Sequence, residues 1–194
     1  MENNIPGLSD FLTMVGDEGL REQRTITISE GISSSVSRRV CQQLLKLEAD
    51  APGKPIYIYQ NSPGGEVNSG YAIFDMIRFI SSEVKIINCG LCASIATVIN
   101  VAAKKENRFS TPNSKFLIHQ PLISGVVRGQ ASDLEITAKS IIKTREQINK
   151  LLAEECGQPL ERVENDTKRD YWMDAGEALE YGLVSKIISS QKEL

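Results

Sequence analysis

Residues 88–122, with the sequence NCGLCASIATVINVAAKKENRFSTPNSKFLIHQPL, hold the pattern around which the rest of the chain is arranged. Ser94 stands at the start of a predicted helix of small and apolar residues, Ile95 to Ala103. After a polar turn, a predicted strand from Lys115 to Gln120 carries His119, which is the only histidine of the protein. A hydroxyl at a helix start, with an imidazole brought beside it, is an arrangement that activates a serine as a nucleophile.

Strands and helices alternate along the chain on both sides of this stretch. Before it, β-branched runs and apolar residues at helical spacing predict strands at 24–29, 55–60 and 84–88 and helices at 36–47 and 66–80. After it, the same signals predict helices at 132–155, from 159 and at 175–181, and a strand at 183–188. A capping box of Ser132 and Glu135 is expected to open the first of these helices. The alternation predicts one α/β domain, residues 1–194, with a largely parallel sheet.

The composition limits the classes of protein to which the chain can belong. Its 22 Lys+Arg residues against 25 Asp+Glu give a net charge of -3, which argues against a nucleic-acid partner. No apolar run reaches the roughly 18 residues of a membrane helix, and the first residues resemble neither a secretory signal nor a transit peptide. The four cysteines suggest neither a disulfide scaffold nor a zinc site. We therefore expect a cytoplasmic protein without a membrane, nucleic-acid or metal partner.

Ser94 and His119 each have a simpler structural interpretation. A serine before a helix is most often an N-cap residue, and a single histidine is most often a hydrogen-bonded structural side chain. The segment Cys92 to Ala96 also lacks the glycines of the G-x-S-x-G turn, which disfavours an α/β-hydrolase. His119 is nevertheless the only imidazole available to a serine nucleophile, and it stands at a strand end before Pro121, where side chains reach into clefts.

The loop Ser62-Pro63-Gly64-Gly65 lies between a predicted strand and a predicted helix. Proline and glycine mark ordinary tight turns, which is the simpler interpretation. The loop lacks the lysine and Ser/Thr of a phosphate-binding loop and has no G-x-G-x-x-G pattern, so a nucleotide ligand is disfavoured. Unpaired backbone N–H groups at such a position suit an oxyanion better.

The carboxylate that would orient the histidine cannot be chosen from spacing. Glu161, Glu164, Asp166 and Asp170 lie in one charged segment, and each is most simply a solvated side chain. Asp166 and Asp170 are four residues apart and would share a face of a helix. The physical argument leaves both open.

The motif Cys89-Gly90-Leu91-Cys92 is the strongest competitor of the serine site. A C-x-x-C between a strand and a helix is typical of a thioredoxin-like dithiol. Here the pair lies in mid-chain, no tryptophan precedes it, and the predicted helix starts two residues beyond the second cysteine. A redox role is therefore the second hypothesis.

Several motifs taken together resemble the ClpP family, the proteolytic subunits of ATP-dependent Clp proteases. The matching segments are YIYQNSPGG at 57–65, AS at 93–94, RF at 108–109, PNS at 112–114, IHQPL at 118–122, GQASD at 129–133, DTKRD at 166–170 and residues 178–184. The resemblance covers about residues 24 to 188. It implies a crotonase-like spiral of β-β-α units with a projecting handle, a strand plus a long helix, at 123–157 and an N-terminal axial segment at 1–20.

The resemblance also implies a serine endopeptidase and assigns its residues. Ser94 matches the nucleophile of the family, His119 its general base and Asp170 its orienting acid. The backbone amides of Gly65 and Ile95 match its oxyanion hole. No metal or cofactor is implied for the chain itself, since ATP is used by the partner.

The family implies an assembly and a partner as well. The assembly is a homo-oligomer of two stacked heptameric rings or a mixed complex with a ClpP paralogue. The partner is an AAA+ unfoldase of the ClpX, ClpA or ClpC type, which docks near Tyr57 and Tyr59 and delivers unfolded polypeptide. Ile95-Ala96 replaces the usual Met-Gly beside the nucleophile, which we expect to reshape the first specificity pocket, and Ile123-Ser124 replaces a glycine pair. A catalytically silent structural paralogue and a crotonase-like acyl-CoA enzyme are the alternatives.

Overall fold

The computed structural model of the chain describes residues 19–20, 23–122 and 129–194. The strands are β1 (Thr25–Ile28), β2 (Ile56–Ser62), β3 (Val84–Ala93), β4 (Arg108–Ser110), β5 (Lys115–Ile118), β6 (Tyr171–Asp174) and β7 (Lys186–Ile187). The helices are α1 (Ser34–Asp50), α2 (Val67–Phe79), α3 (Ile95–Asn100), α4 (Ala131–Cys156), α5 (Leu160–Asp166) and α6 (Ala175–Tyr181). Within these parts of the chain, none of the helices combines the length and the apolar character that a membrane crossing demands.

The sheet has seven strands and is parallel except at one edge. Strands β1, β2, β3, β4 and β7 are hydrogen-bonded in that order, all parallel. Strand β5 runs parallel to the second half of β3, and β6 pairs with β5 in the antiparallel direction. The prediction of a largely parallel α/β sheet is therefore confirmed.

Strand β3 pairs with two different strands along its length. Residues 86–88 pair with β4, whereas residues 91–93 pair with β5. Gly90 stands between the two halves at φ +96°, a conformation that glycine adopts at little cost. The predicted end of this strand at Asn88 was wrong, because the glycine redirects the strand instead of ending it.

Most predicted elements lie where the sequence placed them, with a few corrections. The helix after Ser94 ends at Asn100 and not at Ala103, and the last strand is shorter than 183–188. Strands β4 and β6 were not predicted, since three or four residues are too few to establish an alternating pattern. Residues 1–18 of the predicted axial segment lie outside the described residues.

Helix α4 projects from the sheet along most of its length. No residue from 131 to 147 is buried, whereas Ile148, Asn149, Leu152, Ala153 and Cys156 are buried against the core. The predicted capping box was wrong, because Gln130 holds the N-cap position and makes no side-chain cap bond. The helix therefore packs only through its C-terminal part, and the rest of it projects as the resemblance implies. The handle strand predicted beside it falls within residues 123–128, which lie outside the described residues.

A chain of buried amides crosses the core beneath α3. Gln60, Asn88 and Asn100 are each 0% exposed. Gln60 Nε2 donates to Asn88 Oδ1 and to the Ala96 carbonyl, both at 3.0 Å. Asn88 Nδ2 donates to Asn100 Oδ1 at 2.8 Å, and Asn100 Nδ2 donates to the Leu183 carbonyl at 2.7 Å. These bonds tie β2, β3 and α3 to the segment before β7.

Replacing the middle amide of this chain is expected to destabilise the protein. Asn88→Ala removes the acceptor of a Gln60 Nε2 hydrogen bond and the donor of the bond to Asn100 Oδ1. Both atoms are buried, so water does not replace the lost partner, and the unfolding free energy should fall by about 2–4 kcal/mol. The measurement is denaturant unfolding at fixed protein concentration. Asn68→Ala, an exposed asparagine on α2, is the matched control and should shift the unfolding free energy by less than about 0.5 kcal/mol. Equal shifts for the two variants would contradict the proposed role of the amides.

Candidate active site

Ser94 occupies a strained turn between β3 and α3. Its backbone has φ +57° and ψ -128°, a region that residues with side chains rarely adopt and that costs about 1–3 kcal/mol. The turn is fixed on both sides, because the Ser94 amide donates to the Leu117 carbonyl at 2.8 Å and the Thr97 hydroxyl donates to the Ser94 carbonyl at 2.7 Å. The segment therefore makes a sharp strand-to-helix turn although it lacks the G-x-S-x-G glycines.

The Ser94 side chain points away from its own helix. It holds the N-cap position of α3 but accepts no capping hydrogen bond, so the interpretation as an ordinary N-cap serine was wrong. Instead Ser94 Oγ lies 2.9 Å from His119 Nε2. The hydroxyl can donate its proton to the imidazole, which is the contact that a serine nucleophile requires.

His119 and Asp170 meet because of strand register. Ile118 of β5 pairs with Tyr171 of β6 in the antiparallel ladder, so the next residue on one strand faces the preceding residue on the other. His119 Nδ1 lies 2.9 Å from Asp170 Oδ1 and donates to that carboxylate, which fixes Nε2 as the acceptor towards Ser94. The histidine side chain is 15% exposed and the Asp170 side chain 62%.

Asp166 belongs to a different part of the molecule. It ends α5 and accepts a hydrogen bond from the Tyr181 hydroxyl at 3.1 Å, so the two aspartates do not share a helix face. Burial and the nearby Asp166 raise the pKa of Tyr181. Of the four acidic residues that the sequence left open, only Asp170 contacts the histidine. The helix ends at Asp166 and strand β6, which was not predicted, begins at Tyr171, so the two aspartates lie in different segments.

Side chains around the histidine hold the Asp170 segment in place, and sequence reasoning missed them. The main-chain N–H of Gln120 donates to the Thr167 carbonyl at 2.8 Å, and its side-chain Nε2 donates to the Lys168 carbonyl at 3.0 Å. The buried Thr167 hydroxyl lies 3.0 Å from Asn149 Oδ1 on α4. The handle helix is therefore hydrogen-bonded to the segment that presents Asp170. The one signal in the sequence for this contact was the polar Asn149 on the otherwise apolar face of α4.

The glycine loop packs directly on the Ser94 turn. A side-chain carbon added to Gly64 would lie 2.6 Å from Ser94 Cβ and 2.6 Å from the Ala93 carbonyl oxygen. The Ile32 amide donates to the Gly64 carbonyl at 2.8 Å, and Ile32 forms a bridge with Gly65 that holds the loop from the other side. Only glycine fits this close approach of two backbones.

Two main-chain amides remain available at this junction. Neither the Gly65 nor the Ile95 amide donates a hydrogen bond to another residue within 19–20, 23–122 or 129–194. Gly65 follows the glycine that touches Ser94, and Ile95 follows Ser94 itself. Free N–H groups beside a nucleophile are the donors that an oxyanion hole needs.

The two cysteines of the C-x-x-C motif lack the environment of a redox pair. Both lie in β3, and Cys92 is 0% exposed with Gln60 Nε2 at 3.2 Å from its sulfur. Burial raises the pKa of both the Cys89 and the Cys92 thiols. A catalytic dithiol needs a lowered pKa, so these contacts disfavour the redox hypothesis.

Known proteins are similar to this chain in sequence and in fold. Residues 14–191 match the Clp protease family. The chain is 49% identical over 173 residues to the ATP-dependent Clp protease proteolytic subunit 2 of Treponema pallidum, which covers 89% of this chain and 86% of that protein. It is 48% identical over 178 residues to the ATP-dependent Clp protease proteolytic subunit 3 of Rhizobium etli, which covers 92% and 90%.

A solved structure leads to the same result. A mutant of ClpP1 from Listeria monocytogenes matches with a TM-score of 0.83 at 43% identity, over 90% of this chain and 96% of that one. The predicted ClpP fold is thereby confirmed. By its sequence and its fold, the chain belongs to the Clp protease family.

Proposed function

We propose that the chain is the proteolytic subunit of an ATP-dependent Clp protease and acts as a serine endopeptidase on unfolded polypeptides. The observation that carries the proposal is the hydrogen-bonded line from Ser94 through His119 to Asp170, with 2.9 Å at each step. The free amides of Gly65 and Ile95 beside this line support it. Membership of the family supports the substrate class.

In the proposed mechanism His119 acts first as a base and then as an acid. Ser94 Oγ attacks the carbonyl carbon of the scissile peptide while His119 Nε2 takes the hydroxyl proton. The Gly65 and Ile95 amides stabilise the negative oxygen of the tetrahedral intermediate. His119 then protonates the leaving amine, and a water activated by the same imidazole hydrolyses the acyl-enzyme. Asp170 holds the imidazole tautomer and stabilises its positive charge.

The proposal extends to an assembly and a partner. We infer two stacked heptameric rings, either of this chain alone or mixed with a paralogue, acting in the cytoplasm with an AAA+ unfoldase. The projecting, unburied part of α4 supports a contact between subunits, since Leu134, Ile136 and Ile142 are exposed there. Relatives named subunit 2 and subunit 3 support the mixed complex.

The two alternatives lack a supporting observation. An acyl-CoA enzyme of the crotonase type would use the oxyanion loop but has no need of a Ser94–His119–Asp170 line. A silent structural subunit has no need to maintain the strained Ser94 turn, whose conformation is costly. Both features favour an active peptidase.

Loss of the nucleophile is expected to abolish turnover without unfolding the protein. Ser94→Ala should lower kcat for a fluorogenic peptide by about 1000-fold or more, because no other described hydroxyl contacts His119 Nε2. Ser34→Ala, an exposed serine at the start of α1, is the matched control and should retain full turnover. Turnover that survives Ser94→Ala would refute the assignment.

The two aspartates that spacing alone could not separate are expected to behave differently. Asp170→Asn presents an amide to His119 Nδ1 and favours the wrong imidazole tautomer, which should lower kcat by about 100-fold or more. Asp166→Asn keeps a side-chain oxygen that can accept the hydrogen bond from the Tyr181 hydroxyl, and it should leave kcat near that of the unchanged protein. The two variants are compared by steady-state kinetics with one peptide. A larger loss for Asp166→Asn would reverse the assignment.

The close approach at Gly64 gives a test of the oxyanion loop. Gly64→Ala forces a methyl group against Ser94 and the Ala93 carbonyl, so the loop must retreat and kcat should fall by about 100-fold or more. Gly53→Ala also imposes a side chain on a positive φ, +77°, but meets no atom within 4 Å. It therefore controls for backbone strain and should lose stability without loss of kcat. Equal effects on kcat would show that the clash is irrelevant.

A further inference from the structure

A second, smaller apolar cluster lies on the face of the sheet that turns away from the helices. Successive side chains of a strand point to opposite faces, and on β2 Ile56 and Ile58 join the main core whereas Tyr57 and Tyr59 do not. The members of this second cluster are Tyr57, Tyr59, Ile87, Cys89, Phe109, Ile188 and Leu194. Among the described residues, helices α1 to α6 contribute no side chain to it.

Strand register joins part of the cluster into one row. Tyr59 of β2 pairs with Ile87 of β3, and Ile87 pairs with Phe109 of β4. The three side chains therefore stand side by side on the same face of the sheet. Ile87 is 1% exposed and Phe109 6%, although no described helix packs over them. Another part of the chain must therefore help to keep water away from the row.

Leu194 packs against this cluster from the segment that follows β7. The residues before it form a single 3-10 turn, Gln191–Glu193, which is opened by a capping box of Ser190 and Glu193. The Leu194 amide closes the turn by donating to the Gln191 carbonyl at 3.2 Å. The turn thus carries one apolar side chain onto the face that the helices leave uncovered.

The hydrogen bonds that hold this turn in place are all exposed to water. Lys186 Nζ donates to the Glu193 carbonyl at 2.9 Å, and Glu193 Oε1 accepts from the Ser189 and Ser190 amides, each at 2.9 Å. Water replaces exposed bonds of this kind at little cost, and a single 3-10 turn is not stable by itself. The apolar contact of Leu194 is therefore the main attachment, so the segment can leave while the sheet stays folded.

On this geometry we propose that residues 189–194 are a displaceable cover of the apolar row, and that a partner competes with Leu194 for the same surface. The inference rests on the proposed function, in which the partner is an AAA+ unfoldase. A group that takes the place of Leu194 on Tyr59, Ile87 and Phe109 must itself be apolar. The cover lowers the apparent affinity for the partner, because only the uncovered fraction of the chains can bind it.

Two native cysteines give a direct measure of the cover. Cys89 belongs to the second cluster, whereas Cys41 on α1 packs against the main core; both are partly exposed, and burial raises the pKa of both thiols. In the assembled protein, Leu194→Ser should accelerate alkylation of Cys89 by iodoacetamide about 5-fold and leave Cys41 unchanged. Glu193→Ala keeps Leu194 but removes the bonds of the turn, so it should also accelerate Cys89. Gln191→Ala, an exposed side chain of the same turn, is the matched control and should change neither rate.

Competition is measured on the same variants with ClpX as the unfoldase. Leu194→Ser should lower the apparent Kd for ClpX about 5-fold, read from ClpX-dependent degradation of an unfolded protein, and Gln191→Ala should not. Equal Cys89 rates in Leu194→Ser and the unchanged protein would overturn the cover. Faster Cys89 alkylation with unchanged or weaker ClpX binding would overturn the competition. Neither outcome touches the proposed peptidase, which fails instead if a fluorophosphonate leaves Ser94 unlabelled and no peptide is cleaved.

Discussion

The arrangement of the site depends on one strand that is shared between two neighbours. Because β3 turns at Gly90, its first half completes the main parallel sheet and its second half pairs with β5. Ser94 leaves the second half of β3, and His119 leaves β5, so the two side chains emerge side by side. The antiparallel strand β6 then brings Asp170 opposite His119.

The strain at Ser94 is balanced by contacts that surround it on every side. The Leu117 carbonyl and the Thr97 hydroxyl fix its main chain, and the Gly64 backbone closes the remaining space. Gln60, part of the chain of buried amides, donates a hydrogen bond to the Ala96 carbonyl and so stabilises the first turn of α3. The main chain of Ser94 is therefore fixed by hydrogen bonds and close contacts from several elements.

The sequence predicted the parts of the site that rest on local pattern, and it failed where distant strands decide. Ser94 and His119 were accessible because a strand, a turn and a helix follow one another around them. Apart from the resemblance, the choice between Asp166 and Asp170 needed β6, a strand of four residues whose pairing with β5 spans a long sequence separation. The capping box failed because Gln130, without a capping side chain, starts α4 ahead of Ser132. The buried amides escaped prediction as well, since Asn88 looks like an ordinary strand end and Asn100 like a polar residue within the predicted helix 95–103.

The exposure of Asp170 has a consequence for how the imidazole is held. Water reaches a carboxylate that is 62% exposed and competes for its oxygens, so seclusion from solvent does not preserve the bond to His119. Its persistence comes instead from the backbone ties between Gln120 and the 167–168 segment, and through Thr167 from Asn149 on the handle helix. Helix α4 is therefore connected to the neighbour of His119 through three hydrogen bonds, one between Asn149 and Thr167 and two between the 167–168 segment and Gln120. The alignment of the imidazole thus depends on a helix that contributes no atom to the Ser94–His119–Asp170 line.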